Sequence, residues 1–272
     1  MSGALVVLRW ELVKLGTQLR VRVVVLACLL GPPALALGLG LRLSGPPVDT
    51  VYGRYVLDSG PALSLLVLGF AGMWVLPLLA GVVAGDLFAS EDAAGTWKTV
   101  LTRDRSRDDL FVGKVLAAVT AVVALLALLA LSSLAAGLLL AGTRPLVGLS
   151  GQLIAPGRAV VLTLLSWLLV LPPLLGFTAV AVALSVLTRS SVAGVAGPVL
   201  LGLLLQVLSL VGGLGLVRHA LLTTPFSAWH GLLTSRVALG SFLQGAVLCA
   251  LHLAVLLPLA RRALLRRDVA AA

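Results

Sequence analysis

Six apolar runs, each about twenty residues or longer, constrain this chain more than any other feature of its sequence. Within a bilayer every backbone amide and carbonyl must find a partner inside the protein, so such runs are either helices or strands of a closed barrel. Their length fits a helix across about 30 Å of hydrocarbon, and none alternates apolar with polar residues, so they read as helices. Composition agrees: 60% of the 272 residues are hydrophobic and 11% are charged, too little polar surface for a water-soluble domain. The expected fold is an all-α membrane protein, a single transmembrane domain over 1–272 with six transmembrane helices and no soluble domain.

The spans are expected near Val21–Leu41, Pro61–Gly85, Lys114–Ala141, Ala159–Leu187, Val192–Val217 and Val237–Ala260. Gly31-Pro32-Pro33 is expected to kink or break the first. Gly81 and Gly85, four apart, suit a close helix contact. The fourth span carries Pro172-Pro173, and Thr188–Ser191 leaves room only for a tight turn. Ahead of the first span, residues 1–20 place Leu5, Leu8, Leu12, Leu15 and Leu19 on one helical face, with Arg9, Glu11, Lys14 and Gln18 off it. That pattern is an amphipathic helix lying on the membrane surface. Residues 218–236 are too apolar for an ordinary loop and too short for a span. They are expected to form two short re-entrant helices around Pro225, with Trp229 and His230 at interfacial depth.

The formal charge of +10 would point to nucleic acid in a soluble protein, but no basic patch stands on a polar domain here. The charge reads instead as topology. Fourteen of the twenty Lys and Arg residues lie on the side of the termini, against six on the other, which puts both termini in the cytoplasm. No small-residue cleavage pattern follows the first apolar run, so no cleavable signal peptide is expected. Cys28 and Cys249 lie in apolar segments and read as small packing residues.

The spans are also informative through what they lack. No Asp, Glu, Lys or Arg lies deep in any of them, whereas ion-coupled transporters place ionisable groups near the midplane. Around Gly113-Lys114 the P-loop pattern fails, since Asp108 and Val115 stand where Gly and Ser or Thr are needed, so the chain is expected to hold no nucleotide of its own. His219, His230 and His252 have no thiol or carboxylate cluster around them, so no metal site is expected. Gly148-Leu149-Ser150-Gly151 matches the GxSG of rhomboid intramembrane proteases, with His252 as a distant base. Ser150, however, falls in a loop ahead of the fourth span. A channel or membrane scaffold that uses no ATPase is the other alternative.

The remaining feature is a polar island, Gly85–Lys114, which holds eleven of the thirty charged residues between two spans. Gly85–Leu101 can form an amphipathic helix with Leu87, Ala94, Trp97 and Leu101 on one side. Ser106, with Asp109 three residues on, suits the N-cap of a second helix that runs into the third span. The product is a helix–turn–helix knob beneath the membrane, a shape that suits docking on a partner.

Glu91-x-x-x-Gly95-Thr96, followed by Leu101, Arg107 and Gly113-Lys114, resembles the signature of type-two ABC-transporter permeases. The proline often found before the arginine is absent, and Asp104-Arg105-Ser106 stands there. The amphipathic N-terminus is similar to that family's interfacial elbow helix, Arg189-Ser190-Ser191 to its second, shorter contact, and Thr224-Pro225-Phe226 to its external re-entrant helices. The resemblance implies a permease subunit of an exporter in the bacterial plasma membrane. It would lack an ATPase site and any cofactor of its own, pair with a second permease subunit, and be driven by a separate ABC ATPase that binds the ATP. Segment 86–113 would be the coupling segment, with Glu91, Gly95, Thr96, Trp97, Leu101, Arg107 and Lys114 at the ATPase contact. Pro225, Phe226 and Trp229 would form an external gate. The few polar groups in the spans point to a lipophilic or amphipathic cargo.

Overall fold

The computed structural model describes residues 3–41, 50–95, 106–210 and 221–266. Helix α1 (Gly3–Thr17) leads into α2 (Leu19–Gly40), the first span. The second span is α3 (Gly60–Phe70), a π-helical turn (Ala71–Val75) and α4 (Leu76–Ala84). A one-turn helix, α5 (Ala89–Ala93), follows, and then the long α6 (Arg107–Ala141). The fourth span is α7 (Pro156–Leu169) with α8 (Leu171–Thr188), the fifth is α9 (Ser191–Leu210), and the sixth is α10 (Gly240–Leu265). All six segments have the length and hydropathy to cross a membrane.

Local chemistry explains most of the boundaries. Ser106 caps α6 as expected: its Oγ accepts from the Asp109 backbone N–H at 3.0 Å and donates to Asp109 Oδ2 at 2.8 Å. Helix α6 therefore begins two turns before Lys114. Val170 divides the fourth span, and Pro172-Pro173 sits in the first turn of α8, where a missing N–H costs nothing. Arg189 ends α8 in the left-handed conformation (φ 56°), which makes the expected tight turn. Pro32-Pro33 does not break the first span, which is one continuous helix over Leu19–Gly40. In an apolar medium the flanking backbone groups have no better partner than the helix itself.

Gly81 and Gly85 serve the close contact expected of them. A Cβ at Gly81 would run into the Val195 carbonyl, and one at Gly85 into Gly194, so the end of the second span and the start of the fifth touch backbone to backbone. A hydroxyl relay ties the second span to the third and fourth. Trp167 Nε1 donates to Ser64 Oγ at 3.0 Å, and Ser64 shares a 2.9 Å hydrogen bond with Ser133, all buried. In the second, third and fourth spans about half the residues are covered by the rest of the chain, and in the first, fifth and sixth about a fifth or fewer.

The end of the bundle opposite α5 is closed by aromatic packing and backbone hydrogen bonds. Residues 221–233 form a single 3-10 run, Thr224–Leu233, rather than two short helices. Pro225 opens that run instead of splitting it, as its fixed φ allows at a first turn. The loop after α6 holds a two-stranded hairpin, β1 (Leu146–Val147) paired with β2 (Leu153–Ile154). Its tip donates to the end of the 3-10 run: Leu149 N–H and Gln152 Nε2 both reach the Leu233 carbonyl, at 2.8 and 2.9 Å.

Candidate coupling site

The polar island folds inward more than its composition announces. Its expected helix to Leu101 stops at Ala93, because Gly95 turns the chain with φ +61°. Nothing lies within 4 Å of a Cβ placed on Gly95, so glycine is needed there for backbone conformation and not for close approach. Thr96, Trp97 and Leu101 lie outside the described residues.

Residues 86–95 are held by side chains from five neighbouring elements. Ser185 of α8 starts α5: its Oγ accepts from the backbone N–H groups of Phe88 and Ala89 at 3.3 and 3.0 Å, supplying a cap that α5 has no residue of its own to provide. Asp86 pairs with Arg20, at the beginning of α2, at 2.5 Å, and accepts a short hydrogen bond from Ser191, the first residue of α9. Phe88 is fully buried against Phe111 of α6, with ring centroids 5.7 Å apart.

The centre of the site is Lys114. Its ammonium is 1% exposed and has three acceptors: Glu11 Oε1 at 2.7 Å, the Leu87 carbonyl at 2.9 Å and Glu91 Oε1 at 3.2 Å. It also lies 5.7 Å from the centroid of the Phe88 ring, a cation–π distance. Three donors meeting three acceptors is full satisfaction for a lysine. Lys14, on α1, reaches the same Glu91 oxygen at 2.6 Å. Burial acts to lower the Lys14 pKa, but the hydrogen bond to Glu91 and the charges of Glu11, Glu91 and Asp86 outweigh it, and the net shift is upward. Two lysines and two carboxylates thus form one neutral cluster shared by α1, α5 and α6.

Gly113 makes the cluster possible. A Cβ there would stand 2.5 Å from Val7 Cβ and 2.8 Å from the Ala4 carbonyl, so only glycine lets α1 cross α6 at this level and deliver Glu11 to Lys114. The two residues of the Gly113-Lys114 pair therefore have separate physical tasks, one steric and one ionic.

The match to known families decides the identity. Residues 7–209, which run from α1 almost to the end of α9, match the family described as ABC-2 family transporter protein. The chain belongs to the ABC-2 transporter family. No curated protein matches it closely enough to add a named relative.

Set on this ABC-2 fold, the residues expected from sequence separate into three groups. Glu91 and Lys114 meet in the cluster just described. Arg107, on the first turn of α6, instead donates from Nη1 to the Leu265 carbonyl at 3.1 Å, tying that turn to the end of α10. Pro225, Phe226 and Trp229 come together at the far end of the bundle. There Phe226 stacks on Phe177 at 5.7 Å, the buried Trp229 lies 6.3 Å from Tyr52 and 4.1 Å from His230, and Pro225 faces Gly245 of α10. Ser150, the serine of the GxSG pattern, accepts from the Ser235 N–H at 3.1 Å, while His252 Nδ1 bonds to the Leu248 carbonyl of its own helix at 2.8 Å.

Sequence reasoning missed Glu11, Arg20, Asp86 and Ser185 at this site, and named Ser191 only within the second, shorter contact that the family resemblance implies. Glu11 was placed on the polar side of α1, yet it is buried between Val7 and Leu15 on the face that meets α6. The i−4 and i+4 spacing of Val7, Glu11 and Leu15 was the available signal. A carboxylate in line with apolar residues marks a protein-facing stripe that carries a charge. The leucine stripe turns outward only in part: Leu5 and Leu19 are exposed, while Leu15 is buried and Leu8 and Leu12 pack against the core. Ser185 gave no signal, since a serine near a span end is unremarkable without its partner.

Proposed function

We propose that the chain is the membrane subunit of an ABC exporter, driven by a separate ABC ATPase that binds the ATP, and that segment 86–95 is where the ATPase acts. One observation carries this reading: residues 86–95 are a short segment that side chains of the interfacial helix and of the first, third, fourth and fifth spans grip at once. A push on this segment is felt by all of them, which is what a coupling element needs. Glu91 serves as an internal brace of the segment, and the exposed turn at Ala93–Gly95 offers the contact surface.

The charged end of the bundle then faces the cytoplasm of a bacterial cell, with both termini, in accord with the distribution of Lys and Arg. Leu5 and Val13, exposed on α1, lie in the interface with lipid. Two copies, or this chain and a related one, enclose the path, and Pro225, Phe226 and Trp229 close its outer end. Polar side chains within the packed spans are largely hydroxyls satisfied by neighbours, as in the Trp167–Ser64–Ser133 relay, which favours a lipophilic or amphipathic cargo. The test is purification of the tagged chain co-expressed with the products of its adjacent genes. A stoichiometric ATPase in the complex is the expected result, and a chain that purifies alone and transports without nucleotide would overturn the reading.

A further inference from the structure

We infer that Glu11 is a positioning residue of the coupling apparatus: through Lys114 it makes α1 move as one body with segment 86–95, so that the interfacial helix is a working part of the transporter and not only a lipid anchor. The inference rests on the reading of segment 86–95 as the coupling element.

A helix whose task is to lie in the membrane interface needs an apolar face and a polar face, and has no use for a carboxylate on the side turned toward protein. Helix α1 carries one. Glu11 stands between Val7 and Leu15 on the buried face, with its Oε1 at 2.7 Å from an ammonium that is 1% exposed. Burying such a pair is a poor way to gain stability, since well-packed apolar side chains do as well or better. What an ion pair adds is direction and register. The ammonium of Lys114 accepts no apolar substitute and is shared with Glu91 Oε1 and the Leu87 carbonyl, both on the coupling segment.

The connection is doubled. Lys14, one turn after Glu11, pairs with the same Glu91 oxygen, so α1 contributes an anion and a cation, each to an opposite charge in the cluster. A sliding movement of α1 against the segment would separate both pairs, the Lys114–Glu11 pair in a buried setting and the Lys14–Glu91 pair in a half-buried one. A joint movement separates neither. The glycine at 113 leaves α1 against the backbone of α6, which makes the crossing a natural pivot. Helix α1 then continues after Gln18 into the first span, one of the sparsely covered ones, so that a displacement of the coupling segment reaches that span by way of α1 as well as by way of the Arg20–Asp86 pair.

The experiment is pulsed electron–electron distance measurement on the complex with its ATPase, with and without ATP and vanadate. Spin labels are placed on cysteines in a Cys28→Ser, Cys249→Ser background. The labelled sites are Val13 on α1, Ala94 on the coupling segment and Leu139 near the far end of α6, all exposed. Labelled permease is diluted with unlabelled so that distances within one chain dominate. The inference expects the Ala94–Leu139 and Val13–Leu139 distances to change together on trapping, while Val13–Ala94 stays fixed. In Glu11→Gln, where the hydrogen-bonding shape remains and the charge is gone, Val13–Ala94 is expected to broaden and α1 to lag. If Ala94–Leu139 changes and Val13 stays behind in the unmodified network, the inference fails while the coupling reading stands. If Ala94–Leu139 does not respond to nucleotide at all, the coupling reading fails and takes the inference with it. A Glu11→Gln chain whose two helices still move together would also overturn the role given to Glu11.

Discussion

The two ends of this bundle are closed by different chemistry. At the end that carries α5, long charged side chains are drawn toward the protein and paired with one another: Lys114 with Glu11 and Glu91, Lys14 with Glu91, Arg20 with Asp86. At the opposite end the seal is made of rings and backbone: Trp229 by Tyr52, Phe226 on Phe177, and the hairpin tip bonded to the Leu233 carbonyl. Ring packing is weakly directional, and it tolerates sliding and reopening. A buried ionic cluster tolerates neither, since separating one partner leaves an uncompensated charge. The contrast teaches that the charged end is suited to transmit a displacement without loss and the aromatic end to part and reseal.

The largest expected effect tests the rigid side of this comparison. Lys114→Met leaves the Glu11 and Glu91 carboxylates without their shared cation and should cost about 3–5 kcal/mol, read as a strong fall in the thermal unfolding midpoint in detergent. Adding Glu11→Gln to that variant should recover part of the loss. If Lys114→Met unfolds like the unmodified chain, the cluster is not holding this end together.

Next in size is the backbone contact that anchors the same end. Gly85→Leu drives a side chain into Gly194, an overpacking worth about 1–3 kcal/mol, and the expected result is reduced folded yield and a lower midpoint. A Gly85→Leu chain as stable as the original would mean that the second and fifth spans do not meet there.

The smallest effects belong to the aromatic end. Ser150→Ala removes one neutral hydrogen bond to the Ser235 amide, about 1 kcal/mol, and is expected to leave export intact. Abolished activity in this variant would instead favour a nucleophilic serine and the protease alternative.

Much of this fold was legible in the sequence because bilayer physics leaves few options. Run length and absence of charge located six spans, Gly81 and Gly85 announced a close contact, and Ser106 with Asp109 announced a helix start. Glu91 and Lys114 were legible as a pair of interest only through their spacing within a family-like pattern. Their meeting with Glu11 depends on a crossing of α1 over α6 that no local pattern encodes, and which becomes readable once Gly113 is seen to lack room for a Cβ. The short length of α5 was hidden for the converse reason. The island's amphipathic period continues past Ala94, while the positive φ at Gly95 ends the helix, and a glycine by itself does not say which conformation it takes.

The central claim is that segment 86–95, braced by Glu91 and turned by Gly95, is where a separate ATPase drives this permease. It is tested most directly by co-purifying the ATPase with Glu91→Ala, Gly95→Leu and, as a control, Asp58→Ala, whose side chain is exposed near the aromatic end, and by measuring the ATPase retained and its rate of ATP hydrolysis. Gly95→Leu places a branched side chain at φ +61°, a strain of about 1–2 kcal/mol on the turn itself. The account predicts that Glu91→Ala and Gly95→Leu each retain the ATPase at least tenfold more weakly, a change of about 1.4 kcal/mol, with permease-linked hydrolysis lost, while Asp58→Ala matches the unmodified chain. Glu91→Ala and Gly95→Leu complexes that hold and stimulate the ATPase as well as Asp58→Ala would contradict it.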